Sequence, residues 1–177
     1  VNSTAPNATV PMVQLLATNV ATNVDMALSP KGTGALTAQV ADNTTIGGNK
    51  RGVHSVDFQR VRNAADQVAA GDFSVLAGGA RNSASGYGAT VSGGAGNTAA
   101  GGFSTVVGGE SNTASGNHTS VIGGRGLSLT GSGSVGYLGN NPTGTNDMSI
   151  SAANTGVLSN VDVWIANNDN TPRSLRF

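Results

Sequence analysis

The sequence predicts an all-β chain whose middle is a β-solenoid, a stack of short β-coils. Three observations predict it. A fifteen-residue unit recurs four times between Phe73 and Ser132. Each unit holds two short runs of β-branched or small residues separated by glycines. Only 55–69 carries any helical spacing. A fixed period of this kind marks a repeat architecture in which each unit buries its apolar face on its neighbours.

Aligned on their glycine pairs, the units are 73–87 (FSVLAGGARNSASGY), 88–102 (GATVSGGAGNTAAGG), 103–117 (FSTVVGGESNTASGN) and 118–132 (HTSVIGGRGLSLTGS). The pairs Gly78-Gly79, Gly93-Gly94, Gly108-Gly109 and Gly123-Gly124 keep the spacing of fifteen, as do the closing Gly86, Gly101, Gly116 and Gly131. Glycine takes positive φ without steric cost, so both sets read as turns. Ala69-Ala70-Gly71 matches the end of a degenerate earlier unit, and 133–139 reads as a decaying fifth. Atypical end units are expected where a stack must be capped.

The two strands of a unit differ. In the first, Leu76, Val91, Val106 and Val121 are followed by Ala77, Ser92, Val107 and Ile122. Neighbouring residues point to opposite faces of a strand, so this strand is expected to be covered on both sides. The second strand, Asn82-Ser83-Ala84-Ser85 and its equivalents, offers one small apolar position: Ala84, Ala99, Ala114 and Leu129. Leu76, Val91, Val106, Val121 and these four form the predicted core ladder. A thin coil has a single interior, so a strand covered twice needs a partner, and so small a stack makes a poor core alone. A homo-oligomer is expected; the residues themselves fix no subunit number.

Around the 71–139 array lie an N-terminal β-hairpin segment (1–48), a connector or lead-in coil (49–70) and a C-terminal β segment (140–177). Residues 20–38 read as strand, turn, strand about Ser29-Pro30-Lys31-Gly32-Thr33-Gly34. Residues 55–69 fit a short helix and an irregular coil equally. Val161–Ile165 and Ser174–Phe177 read as further strands. A first residue that is not Met, and a strand-like run at the last, lead us to expect a processed chain or a piece of a longer one.

Nine basic and nine acidic residues give a formal net charge of zero. That argues against binding to nucleic-acid phosphates, which needs a basic excess, and against a polybasic membrane-surface module. Without cysteine there is no disulfide or thiolate metal site, and the compartment stays open. No run approaches the roughly 18 apolar residues of a membrane span, and 1–10 lacks the charged and apolar regions of a signal peptide.

The chemistry is sparse. His54 and His118 are the two histidines, short of the roughly three or four ligands of a zinc site. His118 takes the repeat position of Phe73, Gly88 and Phe103, which reads as packing or exposure. No serine sits in a G-x-S-x-G elbow. Asp57, Asp66, Asp72 and Glu110 are scattered, which leaves a carboxylate pair shared between subunits as the one glycosidase-type arrangement. Residues 93–97 lack the Asp of the calcium nonapeptide, and 47–50 lack the spacing of a phosphate loop. Thr90, Thr105 and Ser120 make a polar column too short for an ice-binding face. Sequons at Asn2, Asn7, Asn43 and Asn117 are incidental in so Asn- and Thr-rich a chain.

Lys50-Arg51 with Arg60 and Arg62 is the one basic cluster, either a solvated connector or a contact for anionic glycan. Aromatic side chains stack on sugars. Trp164 reads as core, whereas Tyr87 falls at a turn. The binding candidates are therefore Tyr87, Tyr137, Lys50 and Arg51. No catalytic residue, metal or cofactor is expected.

The N-[ST]-A-[SA]-G runs at 82–86, 97–101 and 112–116 resemble the head region of trimeric autotransporter adhesins. Similar repeats occur in tail-fibre proteins of phages and other viruses. The flanks favour that second group: 25–34 (DMALSPKGTG) resembles the L-x-P-K-G-T-G hairpin of such fibres, and Gly47–Gly52 with Val56-Asp57-Phe58-Gln59 resembles their lead-in to the repeats. The resemblance implies a homotrimeric left-handed parallel β-roll with short flanking β segments. It implies an extracellular, virion-surface segment that attaches to a host-surface glycan or protein receptor and is not an enzyme. The alternatives it carries are the head of a bacterial outer-surface adhesin and a polysaccharide-degrading tailspike.

Overall fold

The structure, a computed structural model, describes residues 28–139 and 148–159, and the backbone alone of 165–166 and 172–173. The strands are β1 (Leu36–Thr37), β2 (Val56–Asp57), β3 (Val75–Leu76), β4 (Ser83–Ala84), β5 (Thr90–Val91), β6 (Thr98–Ala99), β7 (Thr105–Val106), β8 (Thr113–Ala114), β9 (Ser120–Gly124), β10 (Leu127–Leu129), β11 (Val135–Leu138), β12 (Met148–Ile150), β13 (Gly156–Ser159), β14 (Ile165–Ala166) and β15 (Pro172–Arg173). The described residues contain no helix.

Two parallel sheets form the stack. One has eight strands in the order β1-β2-β3-β5-β7-β9-β11-β13, the other five in the order β12-β10-β8-β6-β4. Each coil gives one strand to each sheet, and the pairing advances by one repeat: Leu76 lies opposite Val91, Val91 opposite Val106, and Val106 opposite Val121. Single bridges linking Val61, Ala80, Ala95, Glu110 and Arg125 make a third, narrower ladder at the turn between the sheets. β14 and β15 form a separate antiparallel pair.

The interior is where period-two patterning places it. Leu76, Val91, Val106, Val121, Ala84, Ala99, Ala114 and Leu129 are fully buried. Ala69, Ala89, Leu127 and Leu138 complete the cluster. Burying each Val or Leu side chain contributes about 1.5–3 kcal/mol.

The second strand conceals what composition hid. Asn82, Asn97 and Asn112, which open its polar run, are fully buried. Each amide oxygen accepts the backbone N–H one coil on: Asn82 from Asn97 at 2.9 Å, Asn97 from Asn112 at 3.0 Å and Asn112 from Leu127 at 3.0 Å. Each amide nitrogen donates to two glycine carbonyls, Gly93 at 3.1 Å and Gly109 at 3.0 Å for Asn97. Buried polar groups need such partners. Gln59 begins the ladder, its Oε1 accepting Asn82 N–H at 2.7 Å.

The glycine pairs divide their work. Gly79, Gly94, Gly109 and Gly124 have φ of 83°, 82°, 90° and 92°, and a Cβ at Gly94 would collide with the Gly109 carbonyl. Gly93 and Gly108 lack positive φ and a side chain there meets open space. The turn therefore depends on the second glycine of each pair, not on both. In the fourth unit Gly123 and Gly124 belong to strand β9, which pairs with β11 through a bulge between Gly136 and Tyr137.

The flanks depart from the expected organisation. In the described part of 1–48, β1 joins the large sheet in parallel with β2, Leu36 opposite Val56. The other expected arm, 20–27, lies outside the described residues. The 49–70 segment supplies β2 and the Val61 bridge without a helix, and β12 and β13 extend both sheets to Ser159. Among the described residues the stack thus runs from Leu36 to Ser159, beyond 71–139 on both sides. Strand pairing recruits these segments through backbone groups, which carry no repeat in the sequence. Val161–Trp164 and Ser174–Phe177 lie outside the described residues.

Candidate functional site

Each coil passes through the left-handed region at several turns, and one of these corners carries the aromatic residues. The corner residues are His54, Phe73, Gly88, Phe103 and His118, with φ of 53°, 58°, 61°, 55° and 55°. Holding a residue with a side chain there costs about 1–2 kcal/mol. The rings at or beside these corners line up as a ridge: the His54, Phe73, Tyr87, Phe103 and His118 rings follow one another with centroids 5.3–5.5 Å apart. The His54–Phe73 and Phe103–His118 pairs stack, and Tyr87 meets both its neighbours edge-on. Aromatic pairs contribute about 0.5–1.5 kcal/mol each, which offsets the backbone strain. At the second coil Gly88 holds the corner and the preceding Tyr87 supplies the ring. A Cβ on Gly88 would press 2.9 Å from the Phe103 ring.

Phe73, Tyr87 and Phe103 stay about half exposed, at 49%, 52% and 56%. The candidate Tyr87 therefore belongs to a continuous aromatic ridge. Its partners were not among the sequence candidates. Their signal was the column through Phe73, Phe103 and His118, but Tyr87 stands one residue out of that column. Tyr137 lies elsewhere, on the large sheet opposite Gly123 and Leu158. Trp164 lies outside the described residues.

The basic cluster splits. Lys50 and Arg60 are exposed, but Arg51 and Arg62 are buried. Arg51 Nε donates to Asp57 Oδ2 at 2.7 Å and Arg62 Nη2 to the same oxygen at 3.0 Å. Arg51 Nη1 also donates to the Gly47 and Asn49 carbonyls, and Arg62 to those of Gln59 and Gln67. Arg51 is thus no direct surface contact for a ligand. Asp57 sits at the inward register position opposite Leu76, and its charge draws both guanidiniums inside.

Lys50 remains, on a pocket of about 520 Å³ between β1 and residues 50–53. Lys31, Thr33, Thr37, Arg51 and Val53 line it as well, and no Asp or Glu does. Two acids stand nearby with oxygens already engaged. Asp72 Oδ1 accepts Val53 N–H at 2.7 Å. Asp42 Oδ1 accepts Thr44 and Gly47 N–H, and the hydrogen bonds from Thr44 foremost hold its carboxyl below the ordinary value.

Among the described residues the other acids do not gather. Glu110 faces Arg125 at 3.7 Å on the exposed bridge ladder, and no three His, Asp or Glu side chains come together. The hydroxyls form two columns: Thr90, Thr105 and Ser120 outside the large sheet, and Ser83, Thr98, Thr113, Ser128 and Ser149 outside the small one. Asn43 is exposed and Asn117 Oδ1 accepts Gly102 N–H at 2.9 Å.

No described helix is long and apolar enough to cross a membrane. Compared with known proteins, the chain matches no family model, no curated protein and no solved structure.

Proposed function

We propose that the chain is a structural and binding segment of a homotrimeric fibre of the phage or viral tail-fibre kind, displayed on the virion surface and attaching to a host-surface receptor. One observation carries this reading. The large sheet buries one face in its own coil and leaves large apolar side chains open on the other, beside the hydroxyls of Thr90, Thr105 and Ser120: Phe58, Val107, Ile122, Val135 and Leu158 are each 44–63% exposed. The face ends in an apolar depression of about 420 Å³ lined by Ile122, Val135, Gly136, Gly156, Val157 and Leu158. Exposed apolar side chains gathered as Ile122, Val135 and Leu158 are around this depression mark an interaction site, and a second copy of the chain brings the matching strip at the same coil repeat. The number three and the left-handed roll come from the resemblance of the repeats. A rigid trimer presents three copies of any surface site, so weak contacts add up to firm attachment. In this reading the segment has no catalytic role and carries no cofactor.

Sedimentation of the purified chain tests the proposal. A trimer is expected, and a folded monomer would overturn it. Val107→Asp combined with Ile122→Asp separates assembly from folding, because both side chains point outward. The double variant is expected to keep its β circular dichroism and lose the trimer. An unaltered trimer would remove this face as the seam.

A further inference from the structure

The aromatic ridge and the basic pocket meet. His54, the first ring, follows Val53 of the pocket wall, and His54 N–H donates to the carbonyl of Thr33, another wall residue, at 3.2 Å. We propose that together they bind an acidic polysaccharide, with a uronate-type carboxylate in the pocket and successive sugar rings along the ridge from His54 towards His118. The assignment rests on the attachment role proposed above and names its ligand class.

Two independent observations point to an anion at the pocket. Lys31 and Lys50 line it with no lining acid. Below them, the buried trio sets two guanidiniums against the single Asp57 carboxylate, and Arg51 Nη2, also buried, has no acceptor. Lys31, Lys50, Arg51 and Arg62 outnumber Asp57, Asp42 and Asp72 around the pocket by one charge. Both acids outside the trio have an oxygen engaged by backbone N–H groups, so the surplus that faces the pocket is positive although the whole chain is neutral. Because the Arg51 side chain is 1% exposed, the lysines make the direct contacts and the buried charge acts from beneath.

The ridge points to sugar. Half-open rings offer flat apolar surface to the C–H faces of pyranoses, and they recur at 5.3–5.5 Å, so an extended chain meets a ring at every coil. A lone phosphate has no use for such a strip. An acidic glycan uses both features.

Calorimetric titration of the full chain with tetragalacturonate, its neutral methyl ester and inorganic phosphate tests the assignment. Tetragalacturonate is expected to bind saturably, with the ester and phosphate about tenfold weaker or more. Lys31→Gln with Lys50→Gln is expected to bring the acid down to the level of the ester. Phe103→Gly, which folds because Gly88 already occupies the equivalent corner, is expected to weaken acid and ester alike. Absence of saturable binding, phosphate binding as tightly as the tetramer, or affinity indifferent to the lysine pair would each overturn the proposal. Sedimentation of the same samples separates the two readings: a trimer that ignores the glycan sinks this site alone, and a monomer that binds it sinks the fibre alone.

Discussion

The two ends of the stack close the same apolar column in opposite ways. Towards the N-terminus the position after Leu76 is Asp57, buried with Arg51 and Arg62, and Gln59 closes the asparagine ladder. Towards the C-terminus the ladder stops at Leu127, and Leu129, Leu138, Met148, Ile150 and Val157 pack over the end. The difference lies in what each end must satisfy. Among the described residues, the guanidiniums and no backbone N–H of a neighbouring coil answer the backbone carbonyls of Gly47, Asn49, Gln59 and Gln67 in the first coils. At the other end β12 and β13 add to both sheets, and apolar side chains rather than ion-paired guanidiniums cover the column.

Two substitutions probe that contrast, and a third tests the middle of the stack between the two ends. Asp57→Ala should have the largest effect. It strands two buried positive charges, and breaking such a set costs about 3–5 kcal/mol; urea denaturation would read it as a lower midpoint. A loss below about 1 kcal/mol would mean that the guanidiniums are held by the carbonyls alone. Leu129→Ala at the apolar end should cost about 2–5 kcal/mol through the cavity it leaves, at the lower part of that range because Ala114 already fills the same column. The two variants together should add, since they sit at opposite ends; a strong departure from additivity in the same titration would show the ends to be coupled.

Ser104→Ala should have the smallest effect, with the opposite sign. Ser104 is fully buried and its hydroxyl has no partner. The equivalent Ser74 hydroxyl donates to the Gly71 carbonyl at 2.6 Å, and that of Thr119 to Gly131 at 3.1 Å. Ala89 shows that the column accepts a methyl group. Removing an unsatisfied buried hydroxyl should raise stability by up to about 1 kcal/mol, seen as a small rise in melting temperature. A fall would mean that the hydroxyl is satisfied in solution.

The site was less legible than the fold. Lys50 and Tyr87 could be singled out by type and turn position, and both line the proposed site. Arg51 could not be told from Lys50, because nothing in a linear run shows that Asp57 draws one cation inside and leaves the other out. Lys31 and the ridge partners Phe73 and Phe103 sit far apart in the chain and meet through coil stacking. Val106, placed in the core ladder by the sequence, faces its own coil. Val107, one residue on, faces outward and is the residue that tests the seam.

By itself the sequence determined the stacked β-coils, their period and the inward column of Leu76, Val91, Val106 and Val121. A fifteen-residue glycine rhythm with alternating apolar positions leaves little else that buries them. The tertiary structure decided the fate of the polar residues. Asn82, Asn97 and Asn112 look like surface from their chemistry, yet they are interior, because each finds its donor and acceptors in the adjacent coil. The same holds for Asp57 and its arginines. Apolar burial follows from pattern within one segment, whereas polar burial depends on partners that only the folded chain brings within hydrogen-bond reach.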